Sequence, residues 1–345
     1  MLERLEALPE GDAARLSIDL GLSQVALEAL GGLRGSIVLV EARTGAVLAA
    51  VSDERTAAAE GPAAFTQRRE PASIAKLLTS AAAYRAGMDA DGEIKRMTCG
   101  GVERYGGKPL WCPFAAGPLE GLDHALALSC NVAFANLGTR LGAERMVAEY
   151  RRWGFDAGGG ALLGAAGRVH APPRTPRQLA DLSVGLELAD VTPLHAALLA
   201  AVVASDGRLP EPRLVTGACG ALGLRDEPLP LSAGRDVLEP PLARRLRRAM
   251  EAVAGYGTGV GLAPPGFPIA MKTGTAAEWG HGYHVNYIGM GPLPDPVVAF
   301  CVRVTNERSS PAVNRAAREV TRRLLAALAD RRPVLVAAAR GASSG

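Results

Sequence analysis

The chain has 345 residues, enough for one large core or two small ones. It is 48% hydrophobic and 21% charged, an ordinary balance for a globular protein, and a net charge of +3 with no basic run among aromatics argues against a nucleic-acid partner. No apolar run reaches the roughly 20 residues of a membrane span; the longest, Leu194 to Ala204, is short and contains His195.

The N-terminus, Met1 to Glu6, lacks the basic start and apolar centre of a signal peptide. Lysine is rare: Lys76, Lys95, Lys108 and Lys272 are the whole set, and arginine carries the remaining positive charge. The five cysteines, at 99, 112, 130, 219 and 301, have neither the even count of a disulfide scaffold nor the spacing of a zinc site. Cys99 and Cys112 either pair in an oxidising compartment or stay as two free thiols. No metal or cofactor is expected.

Residues 1–34 read as a lead-in, with a brief strand at Arg15 to Asp19 and a helix at Leu22 to Leu30. Ser36 to Glu41 and Ala46 to Ser52 are β-branched runs joined by Ala42-Arg43-Thr44-Gly45, a hairpin pattern. Residues 53–70 read as a loop feeding a helix over 73–86. That helix has an apolar stripe of Ile74, Leu77, Leu78 and Ala81, Pro71 before it and Gly87 after it. Residues 97–121 are rich in glycine and proline and read as irregular. Gly121 to Leu137 and Val147 to Trp153 read as helices, and 154–176 as a connection. Val191-Thr-Pro-Leu-His195 opens an apolar helix to Ala204, with His195 read as structural. Residues 205–240 read as loop, and Leu242 to Val253 as an amphipathic helix. Gly255-Tyr-Gly-Thr-Gly259 lacks the Lys-Ser/Thr of a phosphate loop. Ile269 to Thr275, His284 to Met290 and Val297 to Thr305 read as strands and Pro311 to Ala329 as a closing helix. Residues 331–345 read as a disordered tail. Hairpin, helical middle, three strands and final helix predict an α+β fold: a five-stranded sheet flanked by helices, with an all-helical insert over about 73–265.

Ser73 and Lys76, three apart on a helix, share one face. A serine in a first turn has free N–H groups and the helix dipole beside it, and a lysine within reach supplies a base. By itself S-x-x-K is a weak signal, and a capping serine with a solvated lysine is the commoner reading. Here it is followed by Ser129-Cys130-Asn131 and by Lys272-Thr273-Gly274-Thr275. The ordered trio resembles the transpeptidase domain of penicillin-binding proteins, which share S-x-x-K, S-x-N and K-T-G with serine β-lactamases. The resemblance runs over about 15–330, and the main domain is expected over 35–330. One departure is Asn286-Tyr287-Ile288-Gly289, where the family has Trp-Phe-x-Gly.

The resemblance implies a β-lactamase/transpeptidase-like fold with an antiparallel sheet. It implies Ser73 as nucleophile, Lys76 as base and Ser129 as proton relay, with Asn131 holding Lys76 and the substrate amide. Lys272 and Thr273 would bind the substrate carboxylate, Gly274 would let the strand approach it, and the N–H groups of Ser73 and Thr275 would form the oxyanion hole. Two of the four lysines thus fall where an amine able to lose its proton is required; arginine effectively cannot. The implied activity is D,D-transpeptidation of peptidoglycan stem peptides through a Ser73 acyl-enzyme that β-lactams trap. Its place would be the outer side of the cytoplasmic membrane, with a glycosyltransferase or cell-wall complex as partner. The chain reads as a solitary catalytic domain. The alternatives are a D,D-carboxypeptidase or serine β-lactamase, for which Glu187 is loosely placed, and a non-catalytic β-lactam sensor.

Overall fold

A computed structural model describes residues 13–157, 166–219, 226–230, 232, 234–278 and 282–343. Residues 1–12 of the lead-in, with Met1 to Glu6, and part of the 154–176 connection lie outside these described residues. The centre is a five-stranded sheet of β1 (Gly35–Glu41), β2 (Val47–Ser52), β3 (Ala270–Glu278), β4 (Gly282–Gly291) and β5 (Val298–Glu307). The order is β3-β4-β5-β1-β2, every pair antiparallel, so the N-terminal hairpin closes one side of the C-terminal meander. β3 is an edge strand.

One face carries α1 (Leu20–Leu30) and the closing helix Ser310–Asp330. Asp19 caps α1 by accepting from Leu22 N–H, and Gly31, at φ 56°, ends it. The other face carries Pro193–Ala204, in which every residue is buried. A helix apolar on all sides can only lie between layers. Thr192 caps it and Pro193 occupies its first turn. The helical part beyond it comprises Lys76–Arg85, Ala90–Lys95, Leu122–Ala127, Asn131–Leu141, Ala143–Arg152, Pro176–Val184 and Pro240–Gly255.

Several expectations change. The 53–70 loop holds two short helices, Glu54–Glu60 and Ala63–Thr66, the first nucleated by Asp53, which accepts from the N–H groups of Arg55 and Thr56. The irregular 97–121 region contains a hairpin, Val102–Tyr105 with Lys108–Trp111, turned by Gly106 and Gly107 at φ 56° and 80°. The 205–240 loop supplies Val215–Cys219, which pairs with Ala13–Leu16 and Asp226–Pro228. The insert is therefore helical at its packed centre and carries β-ribbons at its rim. The tail forms a helix, Arg332–Ser343, anchored by buried Leu335. Finally, the helix expected over 121–137 is two helices broken at Ser129.

Candidate active site

Ser73 sits in a 3-10 turn, Ala72–Ala75, that runs into α2 (Lys76–Arg85). Ala72 is held at φ 53°, a left-handed conformation costing about 1–2 kcal/mol for a residue with a Cβ. Its N–H donates to Gly185 O at 2.8 Å, and a Cβ on Gly185 would lie 2.2 Å from Ala72 O, so only glycine can back this turn. The turn keeps the i, i+3 relation: Lys76 Nζ lies 2.8 Å from Ser73 Oγ.

Between α3 (Leu122–Ala127) and α4 (Asn131–Leu141) the chain turns at Ser129, at φ 55°. Ser129 N–H returns to Leu126 O and Cys130 N–H to Ala125 O, a closure in which glycine is usual. The break turns Ser129 and Asn131 onto Lys76. Its Nζ lies 2.7 Å from Ser129 O, 2.7 Å from Asn131 Oδ1 and 3.1 Å from Ser129 Oγ. Asn131 is itself fixed by Nδ2 donating to Trp111 O at 2.6 Å, so the rim hairpin positions it.

β3 brings the third group. Lys272 Nζ donates to Ser129 Oγ at 2.9 Å and to Thr273 O at 2.7 Å. Ser73, Lys76, Ser129 and Lys272 thus form one continuous hydrogen-bonded chain. A Cβ on Gly274 would lie 3.0 Å from Pro71 O and 3.2 Å from Ser73 N, so the edge strand touches the serine's turn. Thr273 Oγ1 pairs with Thr258 Oγ1 at 2.6 Å, and Thr275 Oγ1 donates to Asn314 Oδ1 at 3.0 Å. Of the eight residues singled out in the sequence, Ser73, Lys76, Ser129, Asn131, Lys272 and Gly274 meet at this one locus, while Thr273 and Thr275 lie on the same edge strand with their hydroxyls turned to Thr258 and Asn314.

Both lysines are fully buried. Burial lowers Lys76 to about 7, against a smaller opposing pull from Cys130 and Cys112. Burial, and then the Lys76 charge beside it, holds Lys272 well below the usual lysine range. A neutral Lys76 suits its surroundings. Its two N–H bonds answer Ser129 O and Asn131 Oδ1, which can only accept, and its lone pair can take the Ser73 hydroxyl proton. Among the described residues no carboxylate hydrogen-bonds to Ser73, Lys76, Ser129 or Lys272. Glu187 is exposed, its N–H held by Glu70 Oε1 at 2.7 Å.

The family model of the penicillin binding protein transpeptidase domain matches residues 35–326. The chain belongs to this family. It is 29% identical over 340 residues to peptidoglycan D,D-transpeptidase PbpA of Mycolicibacterium smegmatis, covering 86% of this chain and 68% of that protein. It is 27% identical to peptidoglycan D,D-transpeptidase MrdA of Acinetobacter baumannii, over 90% of this chain and 53% of that one. The crystal structure of PBPA from Mycobacterium tuberculosis superposes with a TM-score of 0.79 at 27% identity, covering 94% of this chain and 84% of that chain. Its penicillin G acyl-enzyme complex superposes at 0.73 and 26% identity, over 90% and 81%.

Within this transpeptidase fold some positioning residues escaped the sequence. Asn286, which stands where the family pattern has tryptophan, donates from Nδ2 to Glu70 O and Pro71 O. Arg303, fully buried, donates from Nε to Asn286 Oδ1, from Nη1 to Gln67 O and from Nη2 to Val191 O, each at 2.7–2.8 Å. His284 Nε2 adds a contact to Glu70 O at 3.0 Å. Two strands thereby strap residues 67–71, and hence Ser73, onto the sheet. An arginine inside the apolar run Val298 to Val304 was the available signal. His195 is structural: Gly167 N–H donates to its Nδ1 at 2.7 Å and its Nε2 contacts Trp153 O at 2.8 Å.

Proposed function

We propose that the protein is a serine D,D-transpeptidase of peptidoglycan synthesis, with the catalytic domain over 35–330, its insert over 73–265 and residues 1–34 as lead-in. The observation that carries this is the hydrogen-bonded chain from Ser73 through Lys76 and Ser129 to Lys272. Ser73 Oγ attacks the carbonyl of the penultimate D-Ala of a stem peptide while neutral Lys76 takes its proton. The oxyanion is held by the N–H groups of Ser73 and Thr275, where losing one such donor costs about 3–4 kcal/mol of transition-state stabilisation. Ser129, between the two amines, carries a proton towards the leaving D-Ala amine. Lys272 and Thr273 receive the terminal carboxylate, whose charge raises Lys272 back towards its protonated form. Asn131 holds Lys76 and the substrate amide. An amine of a second stem then attacks the acyl-enzyme, and a β-lactam amide stops at the acylated serine.

The reading of transfer over hydrolysis is supported by the hydrogen bonds of the site: among the described residues, no carboxylate bonds to the reacting groups to activate water. The relatives' activity in cell-wall synthesis supports a place at the outer side of the cytoplasmic membrane, beside a glycosyltransferase. Among the described residues no helix is long and apolar enough to cross a membrane.

Labelling with a fluorescent penicillin on a denaturing gel, followed by release of D-Ala from a stem pentapeptide with and without an acceptor amine, tests the proposal. The expected result is a stable band absent from Ser73→Ala and D-Ala release that grows with the amine. A band that survives Ser73→Ala, or rapid penicillin turnover, would overturn it.

A further inference from the structure

Three thiols meet beside the Ser129 turn. Cys112 Sγ lies 3.5 Å from Cys99 Sγ and 3.7 Å from Cys130 Sγ, and all three sulfurs lie within 4.8 Å of one another. They arrive from three pieces of chain: the short strand Thr98–Cys99, the residue after the Lys108–Trp111 arm, and the centre of the Ser-x-Asn motif. All are free, with Cys99 and Cys130 buried and Cys112 half-buried. The pairing considered between Cys99 and Cys112 is therefore open here, and Cys112 has a second partner that the spacing did not show.

Cys112 is the sulfur common to both close pairs, and its surroundings are those of a reactive thiolate. The N–H groups of Asn131 and Val132, at the start of α4, point at it from 3.1 and 3.4 Å. A hydrogen bond from Cys130, joined by these amides, pulls the Cys112 thiol well below the usual range, and the same contact pushes Cys130 up. Three thiolates are also a soft-metal ligand set, but among the described residues no histidine or carboxylate joins them, leaving the set one short of a closed tetrahedral site.

We propose that Cys112 is a thiol–disulfide exchange site whose choice of partner, Cys130 or Cys99, sets the state of the Ser129–Asn131 turn. This rests on the reading that the turn serves acylation. The Cys112 thiolate attacks one sulfur of an incoming disulfide, a small-molecule or protein disulfide. That bond breaks, and the displaced thiolate leaves with a proton from solvent. Cys130, losing its proton, then attacks Cys112 Sγ of the mixed disulfide and releases the second thiol. Two thiols of the protein are oxidised and the incoming disulfide is reduced to two thiols. Cys99, 3.5 Å away, can next attack Cys112 Sγ and expel Cys130 as thiolate, moving the bond off the motif with no net oxidation. In this reading, closing the Cys112–Cys130 gap from 3.7 Å to a bond of about 2.05 Å draws the residue between Ser129 and Asn131 towards the Lys108–Trp111 arm. A misplacement of about 1 Å in a catalytic group can cost on the order of a hundredfold in rate.

The test uses the whole chain in glutathione buffers running from reducing to oxidising. Non-reducing peptide maps by mass spectrometry locate the disulfide, and fluorescent-penicillin labelling reports acylation. The expected result is Cys112 entering a disulfide in oxidising buffer. In Cys99→Ser it is linked only to Cys130, and labelling slows at least about tenfold, recovering with a dithiol reductant. In Cys112→Ser the labelling rate, whatever its value, does not respond to the buffer. Three thiols that stay alkylatable throughout would overturn the proposal. So would a Cys112–Cys130 bond that leaves labelling unchanged, or one equivalent of bound zinc that blocks oxidation. If the reduced protein takes no penicillin, the acylation reading fails instead, and the maps still decide the exchange.

Discussion

Acylation should titrate on one buried amine. An ordinary lysine at pH 7 is neutral in roughly one molecule in three thousand. Lys76, lowered from 10.5 to about 7 by burial, is neutral in about half. The site therefore gains on the order of a thousandfold in available base, equivalent to about 4 kcal/mol. The folded state supplies that energy. Between about pH 7 and 10.5 the unfolded chain binds a proton at Lys76 that the folded chain does not, so stability rises with pH across that window, by about 1.4 kcal/mol per unit. Below about 7 both states are protonated there and this slope vanishes. Single-turnover labelling by a fluorescent penicillin, measured from about pH 5.5 to 9, should climb close to tenfold per unit at the acid end and level off above about 8. Lys76→Arg should fold and label at background, because a guanidinium keeps its proton. A flat profile, or a rate still climbing at about pH 10, would refute Lys76 as the neutral base.

Gly274→Ala should slow labelling on the order of a hundredfold while changing the melting temperature little, because its Cβ would press on Pro71 O and Ser73 N, which are backbone atoms and cannot swing aside. A change under about threefold would show that strand and turn are not in tight register. Burial lowers His195 to about 4 and His284 to about 3, so each refuses a proton that the unfolded chain accepts below about 6.5. Stability should therefore fall as pH drops from about 6.5 to 4.5, by about 1.4 kcal/mol per unit for each histidine. In His195→Gln the slope from urea titrations should shrink by about one proton, with penicillin labelling at neutral pH retained; an unchanged slope would place His195 in solvent.

The motifs were legible because they depend on local spacing. Ser73 and Lys76 stand three apart, and that relation survives whether the turn is α or 3-10. The sheet was legible for the same reason, since each strand carries its own β-branched run. What the sequence hid depends on partners far along the chain. Ser129 was read inside a helix because alanines and leucines lie on both sides of it, at 125–128 and 133–137, and nothing local announces a left-handed residue. The lead-in strand could not be matched to Val215–Cys219, some 200 residues away. The three cysteines looked unrelated because their separations carry no ligand pattern; a hairpin and a helix break fold them together. Arg303 lies within a run read only as a strand, and its role depends on acceptors on Gln67, Val191 and Asn286 that the run itself does not show.

Those acceptors have a consequence for how this enzyme can change. Arg303, Asn286 and His284 grip the segment leading to the nucleophile by its main-chain carbonyls at Gln67, Glu70 and Pro71. Every amino acid offers the same carbonyl, so the grip does not read the side chains it holds. Substitutions along that segment can therefore change its side chains while the serine stays at its address. The burden of fidelity moves to two residues of the sheet, Asn286 and Arg303, a long way off in the chain from the chemistry they serve.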